Sequence, residues 1–203
     1  MDITAWEFEP LREDRDFSLY RARQPGSSVS VLALVAANSS SRCIGRLEHE
    51  YALAALLDPS WAAQPLALNR HKAAPMLVLD DRGGTPLARD LGRPLEMARF
   101  LRLATNLAVA IGHAHRRGLI HKDIKPANVL VDGNDNVRLT GFGIATLLPN
   151  ERQQPTPPEV VAGTFAYMPP EQTGRMNRSI DTRSDLYSQI GRASCRERVF
   201  LSV

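Results

Sequence analysis

The stretch His121-Lys122-Asp123-Ile124-Lys125-Pro126-Ala127-Asn128-Val129-Leu130 decides how this chain is read. It sets an acid, a cation two residues on and a carboxamide five residues on within one short segment. Three such groups can converge on a phosphoryl-transfer centre. Asp123 would accept or orient a hydroxyl proton, Lys125 would neutralise the terminal phosphate, and the Asn128 oxygen would hold a divalent cation. Upstream, Phe100, Leu101, Leu103, Leu107, Ile111 and His115 follow a helical spacing that starts with Pro94 and runs to Arg117, where Gly118 stops it. Downstream, strands over 129–131 and 137–139 are joined by Asp132-Gly133-Asn134-Asp135-Asn136, a hairpin-turn composition.

Towards the N-terminus the pattern changes to short strands around one helix. Residues 17–22 alternate apolar and polar; 29–35 and 76–79 read as more buried strands. Leu47, Tyr51, Ala54 and Ala55 place a helix over 46–57, ending before Asp58-Pro59. Residues 149–160, with Pro149, Pro155, Pro157 and Pro158, form an extended loop.

Composition sets outer bounds. The chain has 203 residues, 43% hydrophobic and 23% charged, as globular domains do. A net charge of +3 is too mild to imply nucleic acid. Its 25 basic residues include only Lys72, Lys122 and Lys125 as lysines. Cys43 and Cys195 are too few for a disulfide scaffold. With no signal-peptide pattern and no apolar run near the ~20 residues of a membrane helix, a cytoplasmic chain without membrane insertion is expected.

Three further segments stand in register with the opening stretch: Thr140-Gly141-Phe142-Gly143, then Gly163-Thr164-Phe165-Ala166-Tyr167-Met168-Pro169-Pro170-Glu171, then Ser184-Asp185-Leu186-Tyr187-Ser188. Together the four resemble the catalytic loop, Asp-Phe-Gly site, end of the activation segment and central C-lobe helix of Ser/Thr protein kinases. The resemblance implies an α+β, two-lobed protein-kinase-like fold whose C-lobe is cut after the start of its central helix. Residues 1–79 would be the N-lobe, 80–93 the hinge and linker, and 94–189 a partial C-lobe with catalytic loop 121–128 and activation segment 141–171. It further implies ATP and Mg²⁺ as cofactors, Asp123 and Lys125 as catalytic residues and Asn128 as a metal ligand. Leu79, Asp80, Asp81 and Leu130 would line the nucleotide, and Glu50, His121, Phe142, Glu171 and Asp185 would be structural. More narrowly, Glu171-Gln172-Thr173-Gly174-Arg175-Met176-Asn177-Arg178-Ser179-Ile180-Asp181 resembles the N-terminal kinase-like domain of bacterial hybrid sensor proteins. There an ATPase module, a GAF domain and a histidine kinase follow, and these would be the partners, together with a protein substrate if the domain is active.

The chain departs from the family pattern in three places. Where a glycine-rich phosphate loop belongs, residues 11–22 hold no glycine and several acids, so backbone amides cannot closely approach a phosphate and like charge repels it. The strand lysine falls near Leu34, with no lysine before Lys72; its helix partner falls on Glu50, with Glu48 the alternative. Gly141 stands where the metal-binding aspartate belongs. Two readings follow: an impaired Ser/Thr kinase, or a pseudokinase acting as a regulatory module. Other polar residues read plainly. His121 and Phe142 suit core packing, His113 and His115 fall on different helix faces and make no metal site, Lys122 replaces an arginine that reads a phosphorylated loop, and Thr156 and Thr164 are candidate phosphosites.

Residues 190–199 match one reading frame of a sequencing adapter beginning AGATCGGAAGAGC, and Gln189 fits its junction. We read 190–203 as an artefact; without Arg192, Arg196, Glu197 and Arg198 the net charge falls from +3 to +1.

Overall fold

The computed structural model describes residues 5–90, 92, 95–148, 163–173 and 179–190. They divide into two compact units, Met1–Gly83 and the chain from Gly84 on.

The first unit is one antiparallel sheet with a helix. Its strands are β1 (Glu7–Glu13), β2 (Phe17–Arg23), β3 (Ser30–Ala36), β4 (Pro65–His71) and β5 (Ala74–Asp80), in the order β1-β2-β3-β5-β4. Central β3 and β5 are nearly all apolar and buried, so both faces of the sheet are covered. One face holds Ala22, Val31, Ala33, Val35, Met76 and Val78, with Trp6, Phe8 and Tyr20 over them. The sheet curls enough that Phe8 of one edge strand meets His71 of the other, ring centroids 4.0 Å apart.

Two of these strands are absent from the sequence reading, and both are edges. β1 carries Pro10 at a register shift, and β4 opens on Pro65. Proline and half-exposed polar residues are tolerated at an edge and erase the period that marks a strand. Helix α1 (Ser41–Ala52) also differs from the expected 46–57. Ser40 caps it by accepting from the Cys43 amide at 3.3 Å, which moves the start back. A separate 3-10 turn over Ala54–Leu56 supplies the rest.

The second unit is built on α2 (Met97–Arg116), whose cap is Glu96, accepting from the Ala98 and Arg99 amides. Pro94, expected in its first turn, lies outside the described residues. Gly118, at φ +74°, ends the helix and turns the chain into β7 (Leu119–Ile120). The hairpin of β8 (Val129–Val131) and β9 (Val137–Leu139) pairs with β6 (Thr85–Pro86), while β10 (Thr146–Leu147) pairs with β7. α2 grips the hairpin tip: Arg99 and Arg102 reach the Asp135 carboxylate at 3.0 and 3.1 Å, and Asn106 donates to its carbonyl. Helix α3 (Thr182–Ile190) closes the described part. Residues 149–160 and 191–203, and with them the loop and most of the adapter reading, lie outside it.

Candidate active site

The loop after β7 is fixed from below by one buried carboxylate. Asp185 of α3 is fully buried and accepts from the His121 and Lys122 amides, each at 2.9 Å, and meets His115 Nε2 at 2.8 Å. Lys122 takes a left-handed φ of +69°, a conformation costly enough to need such anchoring. From the other side the buried Gln172 donates its amide to the Lys122 carbonyl at 2.7 Å.

His121 is buried against Phe142, centroids 4.5 Å apart. Its Nδ1 accepts from the Asp123 amide at 3.2 Å, which leaves Nε2 to donate to the Thr140 carbonyl at 3.0 Å. Burial pushes its pKa down, so the imidazole is neutral.

Asp123 is enclosed by donors. Its Oδ1 accepts from the Thr164 amide and hydroxyl, both at 2.9 Å. Its Oδ2 accepts from Asn128 Nδ2 at 3.0 Å and lies 3.2 Å from Lys125 Nζ. Lys125 Nζ donates to Thr164 Oγ1 at 2.8 Å, so acid, lysine and threonine form a closed ring of bonds. Asn128 Nδ2 also donates to the Asp123 carbonyl at 2.8 Å. The structure thus brings together Asp123, Lys125 and Asn128, with His121, Phe142 and Asp185 supporting them. Glu171 accepts from Ser184 Oγ at 2.7 Å. Leu130 is a buried residue of β8.

Two parts of this arrangement were not read from the sequence. Thr164, singled out only as a candidate phosphosite, has its hydroxyl shared between Lys125 and Asp123. His115 and Gln172 hold the loop from positions 70 and 50 residues from their partners, a separation no local pattern reveals.

In the first unit the predicted residues lie in and around β5 and on α1. Leu79 is fully buried within β5, between β3 and β4. Asp80 accepts from the Gln64 amide and lies 3.4 Å from Arg82. Asp81 receives Arg21 through both Nε (2.7 Å) and Nη2 (3.2 Å), Ser30 Oγ at 2.7 Å and the Gly83 amide at 2.9 Å. Burial works to raise its pKa, and these bonds outweigh it and hold the carboxyl below the ordinary value. Glu50 is buried at 1% exposure, whereas Glu48 is exposed. Leu34, at the lysine position, is buried and paired with Leu19 and Leu77. The segment in place of a phosphate loop is a tight β1–β2 hairpin. Two of its three acids are paired with arginines, Asp14 with Arg12 and Asp16 with Arg46, each at 3.3 Å.

The class of protein follows from the curled sheet with its helix, and from a catalytic loop set between α2 and a hairpin: an α+β fold of the protein-kinase type. Residues 67–191 match the protein kinase domain family, and the chain belongs to that family. It is 37% identical over 116 residues to a probable serine/threonine-protein kinase of Streptomyces coelicolor, covering 56% of this chain and 17% of that one. It is 32% identical over 117 residues to the serine/threonine-protein kinase PknB of Mycobacterium tuberculosis, covering 56% and 18%. A longer match, 33% over 175 residues, is to the L-type lectin-domain containing receptor kinase V.5 of Arabidopsis thaliana, covering 80% and 26%. The chain therefore spans about a fifth of the length of these relatives. Among the described residues no helix is long and apolar enough to cross a membrane.

Protein kinases generally use ATP and magnesium, and the donor set here can be tested against the ion. Gly141 offers no side-chain oxygen. Each Asp123 oxygen already accepts from two protein donors, and the Asn128 amide nitrogen faces Asp123. Among the described residues no group of three or more His, Cys, Asp or Glu could hold a metal. As arranged, the loop does not fit a magnesium ion.

Proposed function

We propose that this chain is the protein-kinase-like domain of a bacterial signal-transduction protein and serves there as a regulatory or interaction module without efficient phosphotransfer. The β1–β2 hairpin carries the reading. Where phosphates would be cradled, it presents a short acidic turn with no glycine, its Asp14 and Asp16 carboxylates paired with Arg12 and Arg46. Leu34 in place of a lysine leaves the neighbouring strand without a cation, and Arg21, on the same face, is committed to Asp81. The likeness of residues 171–181 to hybrid sensor proteins supports downstream ATPase and histidine-kinase domains as the partners, in the cytoplasm.

One observation favours a second reading, a weak Ser/Thr kinase: Asp123, Lys125 and Thr164 lie together in one bonded ring. Asp123 would take the hydroxyl proton of a protein substrate and Lys125 would meet the charge of the transferred phosphoryl group.

The full chain incubated with Mg²⁺ and ATP carrying a radiolabelled γ-phosphate separates the two. The regulatory reading expects no incorporation above that of Asp123→Asn. Incorporation that Asp123→Asn abolishes would overturn it in favour of the second.

A further inference from the structure

Gly141, at φ +83°, lies flat against the Asn128 carboxamide. A Cβ placed on it would stand 2.9 Å from the Cγ, Nδ2 and Oδ1 of Asn128 alike, closer than non-bonded carbon contacts allow. The loss of a side chain at this position therefore does more than delete a metal ligand. It opens the volume into which Asn128 settles, and from there Asn128 Nδ2 reaches both the carbonyl and the carboxylate of Asp123.

We infer that Gly141 and Asn128 together make a metal-free closure of the catalytic loop, in which the Asn128 amide holds Asp123 in the place of a cation. Asn128 is then a positioning residue for Asp123 and not a metal ligand. The closure has two sides, joined by the bond from Lys125 to Thr164. Asn128 and Lys125 hold Oδ2, and Thr164 holds Oδ1 through its amide and hydroxyl. Asn128 is itself 2% exposed, and its backbone carbonyl accepts from the Thr140 amide at 2.9 Å, directly before Gly141. The segment that follows β9 and carries the glycine is thereby locked to the loop carrying the asparagine at the distance the contact requires. This inference deepens the regulatory reading, since a loop completed by protein donors gains nothing from a metal, but it fails separately from it.

Two measurements on the full chain test it. The first is water-proton relaxation with Mn²⁺, with and without ATP. The closure expects no enhancement beyond that of Mn²⁺ and ATP alone. An enhancement that Asn128→Ala abolishes would overturn it, whatever the phosphorylation assay shows. Conversely, phosphate incorporation that needs no metal would end the regulatory reading and support the closure. The second is a double-mutant cycle in thermal unfolding. Gly141→Ala is expected to lower the midpoint by roughly 2–10 °C through overpacking. Asn128→Gly in that background removes the obstructing carboxamide, so the pair is expected to cost clearly less than the sum of the singles. Should Gly141→Ala fail to fold, recovery of folded protein in the double variant is the same result. Simple additivity would overturn the steric half of the inference.

Discussion

In the C-terminal unit, polar side chains distant in sequence converge on one short loop: Asp185 and Gln172 hold its backbone while Lys125, Thr164 and Asn128 hold Asp123. In the N-terminal unit, charged side chains bond to one another in separate pairs. Arg21 is closed on Asp81, Asp14 and Asp16 are closed on Arg12 and Arg46, and Leu34 is packed between Leu19 and Leu77. The contrast separates two things a kinase fold needs. Loop geometry can persist for structural reasons, because the loop's amides and carbonyls must be satisfied in any folded state. Phosphate binding has no such structural protection, and its residues are free to change.

The sharpest way to break this comparison is at Arg21. The pair it forms with Asp81 is almost wholly enclosed, with side chains 9% and 1% exposed. Arg21→Ala would leave the carboxylate buried without its partner, and the expected loss is about 3–5 kcal/mol in denaturant unfolding. Arg21→Met with Asp81→Leu is expected to recover most of it. Since the folded-state pKa of Asp81 is depressed, the pair's contribution is fully present above the ordinary carboxyl value of 3.8. It is lost as pH falls through the depressed value, so wild type loses its advantage over Arg21→Ala in strong acid. If Arg21→Ala proves neutral, the pair is not the organising feature of the first unit.

The matching change in the second unit is Asp185→Ala. It strips an acceptor from the His121 and Lys122 amides and from His115. About 2–4 kcal/mol is expected, from buried donors left unsatisfied. Hydrogen exchange should rise first at the amides of residues 121–123. Loss of stability without that local signature would mean the aspartate supports the unit at large and not the loop.

A smaller effect is expected at His121. Its folded pKa is lowered, so the unfolded chain binds the proton more readily, and stability falls as pH drops below the ordinary value of 6.5. His121→Phe keeps the packing against Phe142 and removes the titrating group, so its stability should decline less between pH 6.5 and 5. An unchanged slope would assign that decline to other histidines.

The sequence made the second unit far more legible than the first. The group types of the catalytic loop lie within eight consecutive residues, and α2 and the β8–β9 hairpin on either side follow strong helical and turn patterns. What stayed hidden depended on distance or on weak periodicity. Arg21 and Asp81 are 60 residues apart, and Thr164 and Asp123 are 41 apart. Nothing near Asp81 signals that its carboxylate is already taken. Edge strands β1 and β4, half exposed and carrying prolines, have no alternation to read. The departures at Leu34 and Gly141 were visible as single letters, but the consequence of Gly141 was not: it takes the Asn128 carboxamide lying on it to turn a missing ligand into a closed site.

The contrast between the two units rests on nucleotide binding, and calorimetric titration of the full chain with ATP, with and without Mg²⁺, tests it most directly. The account predicts no saturable binding up to about 1 mM ATP, equivalent to less than about 4 kcal/mol of binding free energy. A micromolar dissociation constant that Mg²⁺ tightens further would contradict it.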